Sequence, residues 1–137
     1  MKLKGILAIL LLTVLTFTGC KKPNGFDEIR LGYTGGITGG GDEFTIKSNG
    51  EVYWIGADTL RKTLSQPVID EINDRISDLS NKSLKADETE YGCCDQTANY
   101  IRLKDGNDEW DMRWTSDGGD KYEELQTFFA YLYNVCV

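Results

Sequence analysis

The residues that most constrain the fold of this chain lie between positions 98 and 114. Asn99, Ile101 and Leu103 alternate with Tyr100 and Arg102. Lys104-Asp105-Gly106-Asn107-Asp108 then offers turn chemistry. Beyond it Trp110, Met112 and Trp114 share one face, with Asp111 and Arg113 on the other. A period of two on both sides of a turn predicts an antiparallel hairpin with one buried face. Such a hairpin needs further strands or helices to cover its apolar side.

The rest of the chain supplies them. Ile29, Leu31 and Tyr33 alternate with Glu28, Arg30 and Gly32, predicting a strand over 27–34. Phe44 and Ile46 alternate with Thr45 and Lys47, and Ser48-Asn49-Gly50 predicts a turn into Val52, Tyr53, Trp54 and Ile55. Ser65 and Pro67 mark a helix start. Ile69, Ile72, Ile76 and Leu79 then recur at spacings of three and four, predicting an amphipathic helix. Residues 80–92 read as a polar connection. Asp117-Gly118-Gly119-Asp120 is expected to cap a last helix with an apolar face of Tyr122, Leu125, Phe128, Phe129 and Leu132. The expected architecture is α+β in the order βββαββα. One antiparallel sheet of about five strands carries two helices, all in one domain over 26–137.

The first twenty residues read differently. Lys2 and Lys4 precede an uncharged apolar run, and Phe17-Thr18-Gly19-Cys20 ends it. A basic start, an apolar stretch and a small-residue site form a secretory signal. The uncharged run is short for a membrane-spanning helix, which needs ~20 apolar residues. Residues 15–20, Leu-Thr-Phe-Thr-Gly-Cys, resemble the bacterial lipobox, with Phe17 where Leu is usual. That resemblance implies a signal peptide over 1–19 and lipidation at Cys20. The protein is then a lipoprotein of the bacterial cell envelope, with its acyl chains as membrane anchor. The alternative is an ordinary secretory signal cut elsewhere. Lys21 and Lys22 after the cysteine favour an outer-membrane position facing the periplasm, and residues 20–25 would be a short lipidated tether.

Composition narrows the function. Without residues 1–20 the net charge moves from −7 to −9, because Lys2 and Lys4 leave with them. An acidic domain has no electrostatic footprint for nucleic acid. The chain has no histidine, which excludes Ser-His-Asp and Cys-His nucleophilic sites and removes the commonest transition-metal ligand. No catalytic set, cofactor motif or metal-ligand spacing stands out, so a non-enzymatic role is expected. Residues 105–109 and 117–120 both miss the calcium-loop pattern. Gly35-Gly36-Ile37-Thr38-Gly39-Gly40-Gly41 matches neither nucleotide-binding spacing and precedes a strand. It reads as a connecting loop or a partner-binding loop through Gly35, Gly36, Ile37, Thr38 and Gly39. The stripe Trp110, Met112 and Trp114 reads as core rather than as an aromatic platform.

Cys93, Cys94 and Cys136 remain besides Cys20. In an oxidising compartment one pair is expected to join, with Cys136 bonded to Cys93 or Cys94. Closing about 43 residues would stabilise by ~4 kcal/mol in the chain-entropy model. A vicinal Cys93–Cys94 bridge with a redox role is the alternative.

The order of elements resembles the emfourin-like proteins, small bacterial inhibitors of thermolysin-like metalloproteases and related domains. The shared features are the first strand running into Gly35-Gly36-Ile37-Thr38-Gly39, the central helix, the stretch Asp95 to Leu103 with Tyr100-Ile101-Arg102-Leu103, and the final helix. The likeness spans most of 27–135. The leader, the extra cysteines and a longer 39–56 hairpin depart from it. Only Gly35, Gly36 and Gly39 have places in the pattern, as loop-shaping residues. The resemblance implies an interaction domain of protease-inhibitor type, with a protease or an envelope protein as partner. A structural or accessory envelope subunit and a thiol role for Cys93-Cys94 are the alternatives.

Overall fold

The computed structural model describes residues 21–35, 41–55, 58–87, 97–115 and 119–137. Six strands form one antiparallel sheet. They are β1 (Glu28–Gly35), β2 (Phe44–Lys47), β3 (Glu51–Trp54), β4 (Thr59–Thr63), β5 (Thr97–Asp105) and β6 (Asp108–Thr115). Helix α1 (Gln66–Asp78) and the short α2 (Asn81–Leu84) connect β4 to β5, and α3 (Glu123–Cys136) ends the chain. The spatial order is β4-β3-β2-β1-β5-β6. The fold is α+β, as its alternation predicts, with two substantial helices packed on the sheet.

The alternating residues decide which face is covered. Ile29, Leu31, Phe44, Ile46, Val52, Ile101, Leu103, Met112 and Trp114 are all buried. They meet Ile69, Ile72 and Ile76 of α1 and Leu125, Phe128, Phe129 and Leu132 of α3. Each such side chain contributes roughly 1.5–3 kcal/mol when fully buried. Met112 and Trp114 are therefore core, and Trp110 packs against it. An aromatic ladder pins α3 to the sheet. The Phe129 ring lies edge-on to Tyr33 at 5.3 Å and to Trp114 at 5.7 Å, and Tyr133 meets Phe44 at 5.6 Å.

The turns follow their residues. Gly50 N–H donates to Lys47 O at 2.8 Å, and Gly50 takes φ +86°, a left-handed conformation that glycine adopts without Cβ strain. Asp105 faces Asp108 across Gly106-Asn107, with Gly106 at φ +60°, the two-residue hairpin geometry that places glycine first.

Three local expectations change. Residues 59–63 form the edge strand β4, paired with β3 through a register shift between Val52 and Tyr53. Arg61 and Lys62 on that edge discourage further strand pairing. The connection after α1 contains α2, whose N-cap Ser80 accepts from Ser83 N–H, and an isolated parallel bridge of Asp87 to Arg113. The last helix is entered from a 3-10 turn over Gly119–Tyr122, with Tyr122 as its N-cap and no side-chain cap bond.

The disulfide expectation is corrected. Cys136 is a free thiol, fully buried. It continues the inward face of α3 one turn beyond Leu132, inside the apolar core. Burial pushes its pKa up to about 12, against the pull of Lys62 and Arg61. Cys20, Cys93 and Cys94 lie outside the described residues.

Candidate functional site

The direction of each strand sorts the molecule into two ends. The chain enters at the end where β1 begins. Lys21 forms an ion pair with Asp108, Pro23 is buried, and Asn24 N–H donates to Asp105 Oδ2 at 3.0 Å. Asp27 Oδ2 accepts from Gly106 N–H at 2.8 Å. Residues 21–25, expected as a tether, are thus laid against the β5–β6 turn. Helix α1 passes this end too: a Cβ on Gly25 would stand 3.3 Å from Asn73 Oδ1.

Strand β1 then runs away from the entry for eight residues, roughly 25 Å. At its far end Gly35 pairs with Thr97. Gly41 returns beside Tyr33, so close that a Cβ there would meet Tyr33 Cδ2 at 2.9 Å. Ile55 and Asp58 flank the β3–β4 connection at the same end, where Trp54 pairs with Thr59. Asp87 runs parallel to β6 toward this end, and Thr115 finishes β6 there. The attachment points of segments 36–40, 56–57, 88–96 and 116–118 therefore all lie opposite the chain entry. Among the expected loop residues, Gly35 ends β1, while Gly36, Ile37, Thr38 and Gly39 lie outside the described residues.

Two hollows adjoin this end. On the helix face, Tyr33 and Asn99 of the sheet face Gln126, Tyr133 and Asn134 of α3 across a cavity of about 350 Å³. Its walls are aromatic and amide, without a charged side chain. Asp42 stands beside it, 3.3 Å from the Tyr133 hydroxyl, which donates to it. Burial, then the Asp42 charge, raises the Tyr133 pKa. This mixture can hydrogen-bond a peptide backbone and stack against an apolar side chain.

The opposite face of the sheet has no described helix over it. Its second hollow, about 280 Å³, is lined by Arg30 and Thr34 of β1, Tyr100 and Arg102 of β5 and Arg113 of β6, with the Glu43 carboxylate and Ile55 completing the wall. These side chains share the face because Arg30 pairs directly with Arg102, and Tyr100 with Arg113. Carboxylates hold the guanidiniums. Arg30 Nε donates to Glu28 at 2.8 Å, and Asp111 accepts from Arg102 at 3.1 Å and from Arg113 at 2.8 Å. The Arg113 hydrogen bond chiefly lowers the Asp111 pKa, with burial opposing it. Tyr100 is pushed up to about 12 by burial and by Glu43, which accepts its hydroxyl hydrogen, so the phenol stays neutral. The sequence reading passed over this arginine group, which becomes visible only when the strand register is known.

Among the described residues no group of three or more Cys, Asp or Glu side chains is placed to hold a metal ion. No described helix is long and apolar enough to cross a membrane. No family model matches the chain, and no curated protein matches it.

Proposed function

We propose that this chain is a lipoprotein of the bacterial cell envelope, anchored through acylated Cys20, whose domain binds a protein partner and catalyses no reaction. The observation that carries this reading is the polarity of the sheet. Lys21 to Asp27 lie at one end, and Gly35, Gly41, Ile55, Asp58, Asp87, Thr97 and Thr115 gather at the other. A domain tethered at Lys21 would hold that far end of its six-stranded sheet away from the membrane. The leader residues Lys2, Lys4 and Gly19-Cys20 support the anchor. The absence of histidine supports a binding role.

The partner reading follows the emfourin-like resemblance. The segment after Gly35 would enter the cleft of a protease or seat on another envelope protein, with the amide-lined hollow at Tyr33 and Asn99 beside it. Exchange of residues 36–40 for a polar linker in the full chain tests this, with partners captured by cross-linking in the envelope. Loss of one partner with an unchanged circular dichroism spectrum is the expected result. An unchanged set of partners would remove the loop from the account.

A further inference from the structure

The stretch from Lys21 to Asp27 carries an inference that deepens the anchored reading and rests on it. Residues 20–25 read from the sequence as a flexible tether, yet the fold holds this stretch almost residue by residue. Lys21 pairs with Asp108, Pro23 is buried, and Asn24 N–H donates to Asp105 Oδ2 at 3.0 Å. Gly25 lies against Asn73, and the Phe26 side chain is in the core. Asp27 N–H donates to Lys104 O at 2.7 Å, Asp27 O accepts from Ser48 N–H at 3.0 Å, and its carboxylate accepts from Gly106 N–H. Pro23 also fixes its own φ and restricts Lys22 before it.

Docking changes the reach of the anchor. Five free residues would extend about 17 Å, whereas the docked stem leaves one Cα–Cα step of about 3.8 Å between Lys21 and Cys20. That step brings the anchor to the β5–β6 turn. The β2–β3 turn stands at the same end, through the bond from Ser48 to Asp27. Asn49 and Asn107 are exposed at the tips of the two turns. Lys21, Lys22, Lys47 and Lys104 stand here beside Asp27, Glu28, Asp105 and Asp108, so both signs are present. Charge therefore does not select this contact; the covalent anchor does.

We propose that the docked stem seats the domain directly on the lipid bilayer, with the β2–β3 and β5–β6 turns against the headgroups and the Thr97 end raised from them. Residues 21–27 are then a fixed foot rather than a leash. Strand β1 separates the two ends by roughly 25 Å, so a probe on the lipid tells them apart.

The test uses the full chain, processed and purified from bacterial membranes, in phosphatidylcholine nanodiscs with a spin label on the lipid headgroup. Amide signals are read by nuclear magnetic resonance. The expected result is loss of the Asn49 and Asn107 signals, with Asp58 and Thr97 keeping theirs. Inserting about ten Gly-Ser residues between Cys20 and Lys21 adds a coil of ~18 Å and should restore most of the Asn49 and Asn107 intensity. Hydrogen exchange in the same samples reads the stem itself. The Asn24 amide should exchange about tenfold more slowly than in a free chain, and Asp105→Ala should remove that protection. With acyl chains on Cys20, equal loss at both ends or no loss at either would overturn the seating alone. So would an Asn24 amide that exchanges as a free chain does, or unchanged loss in the insertion variant, because the stem would then not hold the turns there. An unacylated Cys20, read by mass spectrometry, would refute the seating and the anchor together.

Discussion

Arg30 and Arg102 face each other directly across β1 and β5, two like charges in register on the uncovered side of the sheet. Like charges so placed are destabilising by a few tenths of a kcal/mol to about 1 kcal/mol. Glu28 and Asp111 offset that repulsion, each from the residue's own side. The pair is the centre of a charge network that runs outward to Glu109 and Arg113.

Asp111 is the hinge of that network, and it sets a pH dependence. Its pKa is lowered first by the Arg113 hydrogen bond and then by Arg102, while burial pushes it up. A carboxyl depressed in the folded state stabilises above its ordinary unfolded pKa of about 3.9. That contribution is lost as pH falls through the lower folded value. Thermal melting from pH 6 to pH 3 should show wild type losing stability more steeply than Asp111→Asn. At neutral pH the variant should be less stable by about 1 kcal/mol. Parallel pH profiles for the two proteins would refute this role.

The core should respond according to burial. Ile72 lies at 0% exposure between α1 and the sheet, whereas Leu60 on β4 keeps 50%. Ile72→Ala should cost about 2–5 kcal/mol in denaturant unfolding. Leu60→Ser should stay within about 0.5 kcal/mol of wild type. Equal costs at both sites would contradict the packing described.

Two turn glycines should part company. A Cβ on Gly50 would stand 2.8 Å from Leu64 O, on a backbone already at φ +86°. Gly106 has φ +60° and nothing within 4 Å of the same position. Gly50→Ala should destabilise by roughly 1–3 kcal/mol. Gly106→Ala should cost less, about 1 kcal/mol, because only the backbone conformation resists it. Chemical denaturation of both variants is the measurement.

Much of the sheet was legible because apolar residues recur at a period of two, and the two main helices because theirs recurs at 3.6. What escaped had no such signal. Strand β4 reads Thr-Leu-Arg-Lys-Thr, and an edge strand held by pairing with β3 shows little alternation. The buried state of Cys136 was available in outline, since it extends the series Leu125, Phe128, Phe129 and Leu132. Cysteine arithmetic outweighed that periodicity and led to a bridge that is not formed. The arginine hollow was hidden for another reason. Arg30 and Arg102 are distant in sequence, and strand charges read singly as a solvated face until register brings them together. Likewise Lys21 to Gly25 carry no apolar pattern; Asp105 and Asp108 hold them through polar contacts.

The anchor has its own test. The full chain made in a bacterial host should incorporate radiolabelled palmitate and sediment with membranes. Cys20→Ala should lose the label and the membrane association together. Label retained in Cys20→Ala would place the lipid on another residue and refute the anchor.

The central claim is that the end of the sheet where Gly35, Asp58 and Thr97 lie meets a partner while the opposite end faces the tether. A photo-reactive residue placed at exposed Thr97, beside Gly35, samples the first end, and one at exposed Asn107, in the β5–β6 turn, samples the second. Cross-linking of each full-length variant in intact cells compares them directly. The account predicts a discrete protein adduct from position 97 and none of that mass from position 107. The same adduct from 107 and not from 97 would contradict it.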